Sequence, residues 1–335
     1  KSMIPVRMNL FYSALLLTAL TLVGCSSSGE RHSVITRNNQ FVVVETDSKD
    51  TYASLAKKFI GNEAYASVIA RYNPDLSQAG YVAIPLSAVN PSAVYTSGYQ
   101  QIPVLCYHQF TTASHSNNRM VITQNEFEQQ MRYLREHGYQ ILTLQQLYRF
   151  VQGQQEAPDK AVVITVDDGY RSYLDVAVPI LRKYDIPSTI FVYPDFIGAP
   201  LALSWDNIKM LTQDPLIDVQ SHSKTHANLA FNAKAENTKQ YQARLQQEVL
   251  TAAEKIERIT GENSIHYFAY PYGNTSQELM VLLEQHNYQL GFTVERGSAS
   301  TFSDRYLINR TMIYGGDSLS KFVRALNTFE RVDLK

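Results

Sequence analysis

The hydrophobic pattern turns on the run Ala161-Val162-Val163-Ile164, four small or β-branched residues with no polar break. Such a run predicts a strand buried on both faces, as in a parallel sheet. It leads into Thr165-Val166-Asp167-Asp168-Gly169-Tyr170, which places two carboxylates where the strand's carboxyl end meets a loop. Side chains on neighbouring strand positions point in opposite directions, so Asp167 and Asp168 are expected to do different jobs. Around this run, apolar positions at helical spacing predict helices over 124–137, 173–184, about 238–259 and 276–286. In the first, Phe127, Met131 and Leu134 share a face and Gly138 supplies the stop. Strands are expected over 102–108, 188–193, 217–220, 290–294 and 306–313, with a strand and a helix beginning within 141–150. Alternation of this kind argues for an α/β fold with a parallel sheet.

The first hundred residues follow a different pattern. Lys1 and Arg7 precede the apolar run 10–23, too short to span a bilayer but suited to a signal h-region, so 1–24 is read as a targeting segment. Residues 25–39, opening Cys25-Ser26-Ser27-Ser28-Gly29, read as a polar tether. A small α+β module is expected over 40–86. It has a strand at 41–44 and a helix over 51–60 capped by Asp50 or Thr51, with Leu55 and Phe59 on one face. A second helix over 64–72 is ended by Asn73-Pro74, and a closing strand covers 81–84. Pro91 and scattered Ser, Ala and Gly mark 87–101 as a linker, leaving 102–335 as the large domain.

Composition narrows the class. The chain has 335 residues, 44% of them hydrophobic, and a formal net charge of -1, enough for one large core plus a small module. The near-neutral balance gives no electrostatic case for nucleic acid or an anionic membrane surface. Against one tryptophan stand 22 tyrosines, whose flat amphipathic rings suit sugar faces. Its two cysteines are Cys25 and Cys106. The latter lies in the apolar stretch Val104-Leu105-Cys106-Tyr107 and is read as a buried free thiol.

The chemistry gathers in a second segment, Ile217-Asp218-Val219-Gln220-Ser221-His222-Ser223-Lys224-Thr225-His226. Two histidines four apart, just past a short strand, can turn both imidazoles toward one point if the loop closes. With one aspartate they make a set of two nitrogens and one oxygen, which leaves positions open for water and substrate. That composition suits a catalytic divalent metal better than a closed structural site.

Thr165 to Gly169, His222 to His226 and Phe268-Ala269-Tyr270-Pro271-Tyr272-Gly273 together resemble the signature segments of the polysaccharide deacetylases, the NodB-homology type of carbohydrate esterase family 4. The likeness runs from about Ile102 onward. It implies a distorted, incomplete (β/α) barrel and metal-dependent removal of N-acetyl groups from N-acetylglucosamine polymers. By the same resemblance Asp168, His222 and His226 hold a divalent metal, with zinc the first choice, and Asp167 is the general base. The backbone N–H of Tyr272 faces the oxyanion, while Trp205, Tyr270 and Pro271 line the substrate. The chain departs from the family pattern at Ala269, where many members carry an arginine that pairs with the base. Arg310 shares a strand face with Ile308 and Met312, and a guanidinium in so apolar a setting needs a carboxylate partner. Arg310 is therefore expected to orient Asp167. The late histidine that many members use as acid is also absent, and His108 is a candidate for that part.

Two further resemblances concern the N-terminal part. Leu22-Val23-Gly24-Cys25 looks like a bacterial lipobox, with Ser26 following as in outer-membrane sorting signals. It implies an exported lipoprotein facing the periplasm and held to the membrane through acyl chains on Cys25, each buried CH₂ adding about 0.8 kcal/mol; a monomer is expected. Residues 40–86 are similar to a LysM module, a binder of N-acetylglucosamine-rich glycans, although Lys49 replaces the usual glycine. This module points to β-1,4-linked peptidoglycan, whereas the Tyr107-His108 and 268–273 segments resemble the branch acting on β-1,6-linked exopolysaccharide. An inactive glycan-binding lipoprotein and an O-acetyl esterase are the alternative readings.

Overall fold

In a computed structural model of the chain, the described residues are 32–38, 41–73, 80–86, 90, 92–95, 97–231 and 236–332. The expected signal segment, Cys25 and Pro74 lie outside them. Seven strands run parallel in the order Leu290–Phe292, Tyr267–Ala269, Ile217–Ser221, Ser188–Val192, Ala161–Val166, Ile102–Tyr107 and Thr311–Met312. One parallel bridge, Phe292 to Ile308, links the two ends of this row, so the sheet curls into an incomplete barrel. Every residue of Ala161–Val166 and of Ile102–Tyr107 is buried, as unbroken apolar runs with helices outside and side chains within require.

Helices cover the outside of the curl. Gln124–Glu136 starts at a capping box between Thr123 and Glu126 and buries Phe127, Met131 and Leu134. Thr238–Thr260, capped by Asn237, buries Tyr241, Leu245, Val249, Ala252 and Ile256, a stripe at three- and four-residue spacing. No helix among the described residues is long and apolar enough to cross a membrane.

Several expectations needed correction. The expected helix over 173–184 opens as a π-turn, Tyr173–Ala177, before Val178–Lys183. Pro179 has no N–H to give to the regular ladder, which favours the wider turn. Of the strand expected over 306–313 only Thr311–Met312 forms. There Asp304 turns the chain instead, its carboxylate accepting from the Tyr306 N–H at 2.8 Å and its carbonyl from Leu307 at 2.9 Å. The stretch expected to be a linker contains Val94–Tyr95 and Gly98–Gln100, and the second pairs antiparallel with Phe329–Arg331. Within the expected tether, Val34–Arg37 pairs antiparallel with Phe41–Glu45.

Strand Phe41–Glu45, helix Tyr52–Ile60, helix Ala66–Tyr72 and strand Tyr81–Pro85 form the small N-terminal unit. Thr51 is the cap of its first helix, accepting from the Ser54 N–H. Its core is its own: Val42, Val44, Leu55, Ile69, Val82 and Ile84. Asn73 closes the unit by bonding the Ala83 carbonyl at 2.7 Å and the Ala83 N–H at 2.8 Å, as a neighbouring strand would.

Candidate active site

The carboxyl ends of the parallel strands carry the reactive groups, the position expected for a sheet of this kind. Asp167, 1% exposed, continues the Ala161–Val166 strand, and its N–H donates to the Tyr107 carbonyl at 2.9 Å. Arg310 grips it with both arms: Nη1 to Oδ1 at 2.8 Å and Nη2 to Oδ2 at 2.7 Å. The rest of the guanidinium is committed too, with Nε donating to the Thr293 carbonyl at 2.9 Å and Nη1 to Thr165 Oγ1 at 3.2 Å. Phe191 and Phe292 flank it, their ring centres 5.7 and 5.9 Å away. Burying a lone guanidinium would cost several kcal/mol, so a satisfied fork–fork pair is the arrangement that lets Arg310 be fully buried. Burial pushes the Asp167 carboxyl up, but Arg310, with His222 and His108, outweighs it and holds the carboxyl well below the usual carboxylate range. Cys106 Sγ, fully buried, lies 3.4 Å from Asp167 Oδ2.

Asp168 turns away from this pair. Its φ of 79° is left-handed, a strained conformation for a residue with a Cβ, and it redirects the carboxylate toward the histidines. Asp168 Oδ1 is 3.5 Å from His222 Nε2 and 3.4 Å from His226 Nε2, and it is buried without a hydrogen-bond partner. An ion held tetrahedrally at about 2.1 Å would set its ligands about 3.4 Å apart. The observed spacing fits that figure, and an orphaned buried carboxylate oxygen is what a missing cation would satisfy. Asp168, His222 and His226 therefore fit a divalent metal as its protein ligands. Asp167 Oδ2 stands 3.9 Å from His222 Nε2, beside the site without joining the three.

Outer contacts aim the ligands. His222 Nδ1 bonds the Ala269 carbonyl at 2.8 Å, which leaves Nε2 free for the cation. The position that lacks the expected arginine thus contributes through its backbone. The turn between the histidines is held from below by Glu248, buried on the long helix. Its carboxylate accepts from Lys224 N–H at 3.0 Å, Thr225 N–H at 2.9 Å and Thr225 Oγ1 at 2.7 Å. Ser223 and His226 are both left-handed there, with φ of 64° and 60°. Burial and the neighbouring His222 lower the His226 pKa; in His222 the pull of Asp167 and Asp168 overcomes burial and raises it. Burial also lowers the pKa of His108, which with Cys106 and Asp167 forms a second close group, ligand atoms within 4.8 Å.

Tyr272 is left-handed as well, φ 59°, with its side chain 62% exposed. Its N–H has no protein acceptor among the described residues, which leaves it available to an oxyanion. Tyr270 and Pro271 do not line the substrate as expected. Tyr270 is fully buried, its hydroxyl donating to the Tyr306 carbonyl at 2.9 Å above Gly291, where a Cβ would come within 2.3 Å of the Tyr270 hydroxyl. Pro271 is buried beside it. Trp205 sits half-buried against the main core in the first turn of Trp205–Leu211.

Sequence reasoning missed Glu248 and an aromatic row on the rim. Tyr170 meets Phe196 at 5.1 Å, Phe196 stacks on Tyr193 at 5.1 Å, Tyr193 reaches His226 at 5.1 Å, and His226 reaches Tyr272 at 4.7 Å. For Tyr193 a signal existed, since it follows directly on the carboxyl end of a buried strand.

Comparison with known proteins agrees with this geometry. Residues 154–291 match the family model described as polysaccharide deacetylase. The poly-beta-1,6-N-acetyl-D-glucosamine N-deacetylase of Staphylococcus aureus (strain MRSA252) is 25% identical over 229 residues, 67% of this chain and 78% of that protein. Its Escherichia coli (strain K12) namesake is 23% identical over 260 residues, 68% of this chain but only 38% of that protein. The solved structure of IcaB from Ammonifex degensii superposes with a TM-score of 0.57 at 26% identity, covering 68% of this chain and 97% of that one. Asp167, Asp168, His222, His226 and Tyr272 all fall within the matched span, and the chain carries a polysaccharide deacetylase domain of the NodB-homology type.

Proposed function

We propose that the protein is a metal-dependent N-deacetylase that hydrolyses N-acetyl groups from N-acetylglucosamine residues of a cell-envelope polysaccharide. The observation that carries this reading is the convergence of Asp168, His222 and His226 at cation-binding spacing, with Asp167 locked beside them. When bound, the divalent metal, zinc in our reading, polarises the amide carbonyl and acidifies water. Asp167 takes the proton as water attacks the carbonyl carbon. A carboxylate held as low as this one is a weak base, so it depends on that acidification. Arg310 keeps Asp167 ionised and fixed in direction, while the Tyr272 N–H donates to the oxygen that gains charge. His108, within 4.8 Å of the Asp167 carboxylate, is the group we assign to protonate the departing amine. Acetate leaves, and the sugar keeps a free amine.

The setting in the envelope rests on the N-terminal residues. We read 1–24 as a lipoprotein signal, Cys25 as the acylated residue, the monomeric protein as facing the periplasm from the outer membrane, and 40–86 as a LysM-like glycan binder. The strand–helix–helix–strand order and separate core support the last of these. Metal analysis of the purified protein and acetate release from β-1,4- and β-1,6-linked N-acetylglucosamine polymers test the activity. One bound divalent ion and acetate from at least one polymer are expected; a metal-loaded protein that frees no acetate from either would overturn the reading.

A further inference from the structure

Lys224 sits midway between His222 and His226 and is held at three points. Its N–H donates to Glu248 at 3.0 Å, its carbonyl accepts from the Asp195 N–H at 3.1 Å, and its ammonium donates to Asp195 Oδ2 at 2.5 Å. The other carboxylate oxygen of Asp195 accepts from Lys255 Nζ at 3.0 Å. Lys255 lies about two helical turns beyond Glu248. The helix Thr238–Thr260 therefore grips the histidine turn with one residue and Asp195 with the other.

Asp195 itself belongs to the aromatic rim. It lies inside the turn closed by the Phe196 N–H on the Tyr193 carbonyl at 3.1 Å, and that turn carries the stacked Tyr193 and Phe196 rings. Tyr193 also meets His226, ring centres 5.1 Å apart. Residues 193–196 and 223–226, which follow neighbouring strands, are thus joined by a backbone bond, an ion pair and a ring contact. Burial pushes the Asp195 carboxyl up, but Lys224 and Lys255 outweigh it and hold it below the ordinary value. Such bracing has a reason. Ser223 and His226 are left-handed, with φ of 64° and 60°, a conformation that persists only where the surroundings over-determine it. Glu248 supplies that constraint from the helix side and Asp195 from the rim side.

We propose that Asp195 is a positioning residue which, through Lys224, binds the aromatic rim and the histidine turn into one unit. It sets metal affinity and glycan affinity together, although its carboxylate meets lysines and neither imidazole among the described residues. The inference rests on the metal-dependent deacetylase reading and adds to it: the cation and the sugar-facing rings share one support.

The test compares full-length wild type, Asp195→Asn, Asp195→Glu and Lys224→Met. Zinc affinity is read by chelator competition, which needs no turnover, and KM and kcat on whichever of the β-1,4- and β-1,6-linked N-acetylglucosamine oligomers is deacetylated. Asp195→Asn should weaken zinc affinity about fivefold and raise KM about threefold, the size expected for loss of two partly exposed ion pairs. Asp195→Glu should restore most of both. Lys224→Met should weaken zinc by a similar factor, and the Asp195→Asn, Lys224→Met double variant should fall no further than either alone, as partners in one contact do. A purely structural aspartate would lower Tm and move neither affinity. Zinc affinity in Asp195→Asn equal to wild type, or single effects that simply add in the double variant, would overturn the inference. A wild type that holds zinc but frees no acetate, with zinc affinity still dependent on Asp195, would sink the deacetylase reading and leave the positioning role standing.

Discussion

The two sides of the active site are built on opposite plans. On the Asp167 side every donor has an acceptor and nothing is exposed: the carboxylate, Arg310, Thr165 and the flanking phenylalanines form one closed set. On the metal-site side the backbone is left-handed at four non-glycine residues, Asp168, Ser223, His226 and Tyr272, and the Tyr272 ring is exposed. The first side fixes a protonation state, which needs low dielectric and permanent partners. The second, in our reading, admits an ion and a polymer; it leaves Asp168 Oδ1 without a partner and relies on a buried prop, Glu248, to hold the turn between the histidines.

The contrast can be broken from either side. The largest effect is expected from Asp167→Asn, which keeps shape and removes the base we propose: kcat should fall about a thousandfold with metal content unchanged by elemental analysis. Next comes Arg310→Ala, which strands a buried carboxylate and should lower stability by about 3–5 kcal/mol, read as Tm. In wild type the depressed Asp167 pKa contributes stability that is fully present above the unfolded value of about 3.9. That contribution is lost as pH falls through the folded value, so the acid limb of a Tm–pH profile should be shallower in Arg310→Ala. On the other side, Glu248→Gln should weaken metal affinity about tenfold or more by chelator competition while leaving the Asp167–Arg310 pair intact. The smallest effect is expected for Tyr193→Ala, where loss of one stacking face should raise KM about fivefold with kcat little changed. A fall in kcat equal to that of Asp167→Asn would show that the rim does more than hold substrate.

Legibility follows the same division. Asp167, Asp168, His222 and His226 announce themselves because reactive side chains at a strand end break a hydrophobic pattern. Arg310 could be read for the same reason, as a charge among apolar neighbours, even though the strand expected around it is mostly loop. Glu248 could not: on a helix with many polar residues, a glutamate that points inward looks like its solvated neighbours. Tyr270 was misread because three motif residues in a row share chemistry but not direction, and only Tyr272 faces out. The strands Val94–Tyr95, Gly98–Gln100 and Phe329–Arg331 are too short to carry a period.

The last of these strands bears on where the polypeptide can be cut. Gly98 lies so close to the opposite chain that a Cβ there would come within 1.9 Å of the Glu330 carbonyl, and the Gln101 N–H donates to the Thr328 carbonyl at 2.9 Å. Residues before and after the catalytic unit are thus stitched together, like the two tabs of a clasp. A recombinant fragment trimmed to start at Ile102 would leave Phe329–Arg331 a bare, sticky edge. Starting it near Asn90 keeps the clasp shut and yields the better-behaved piece.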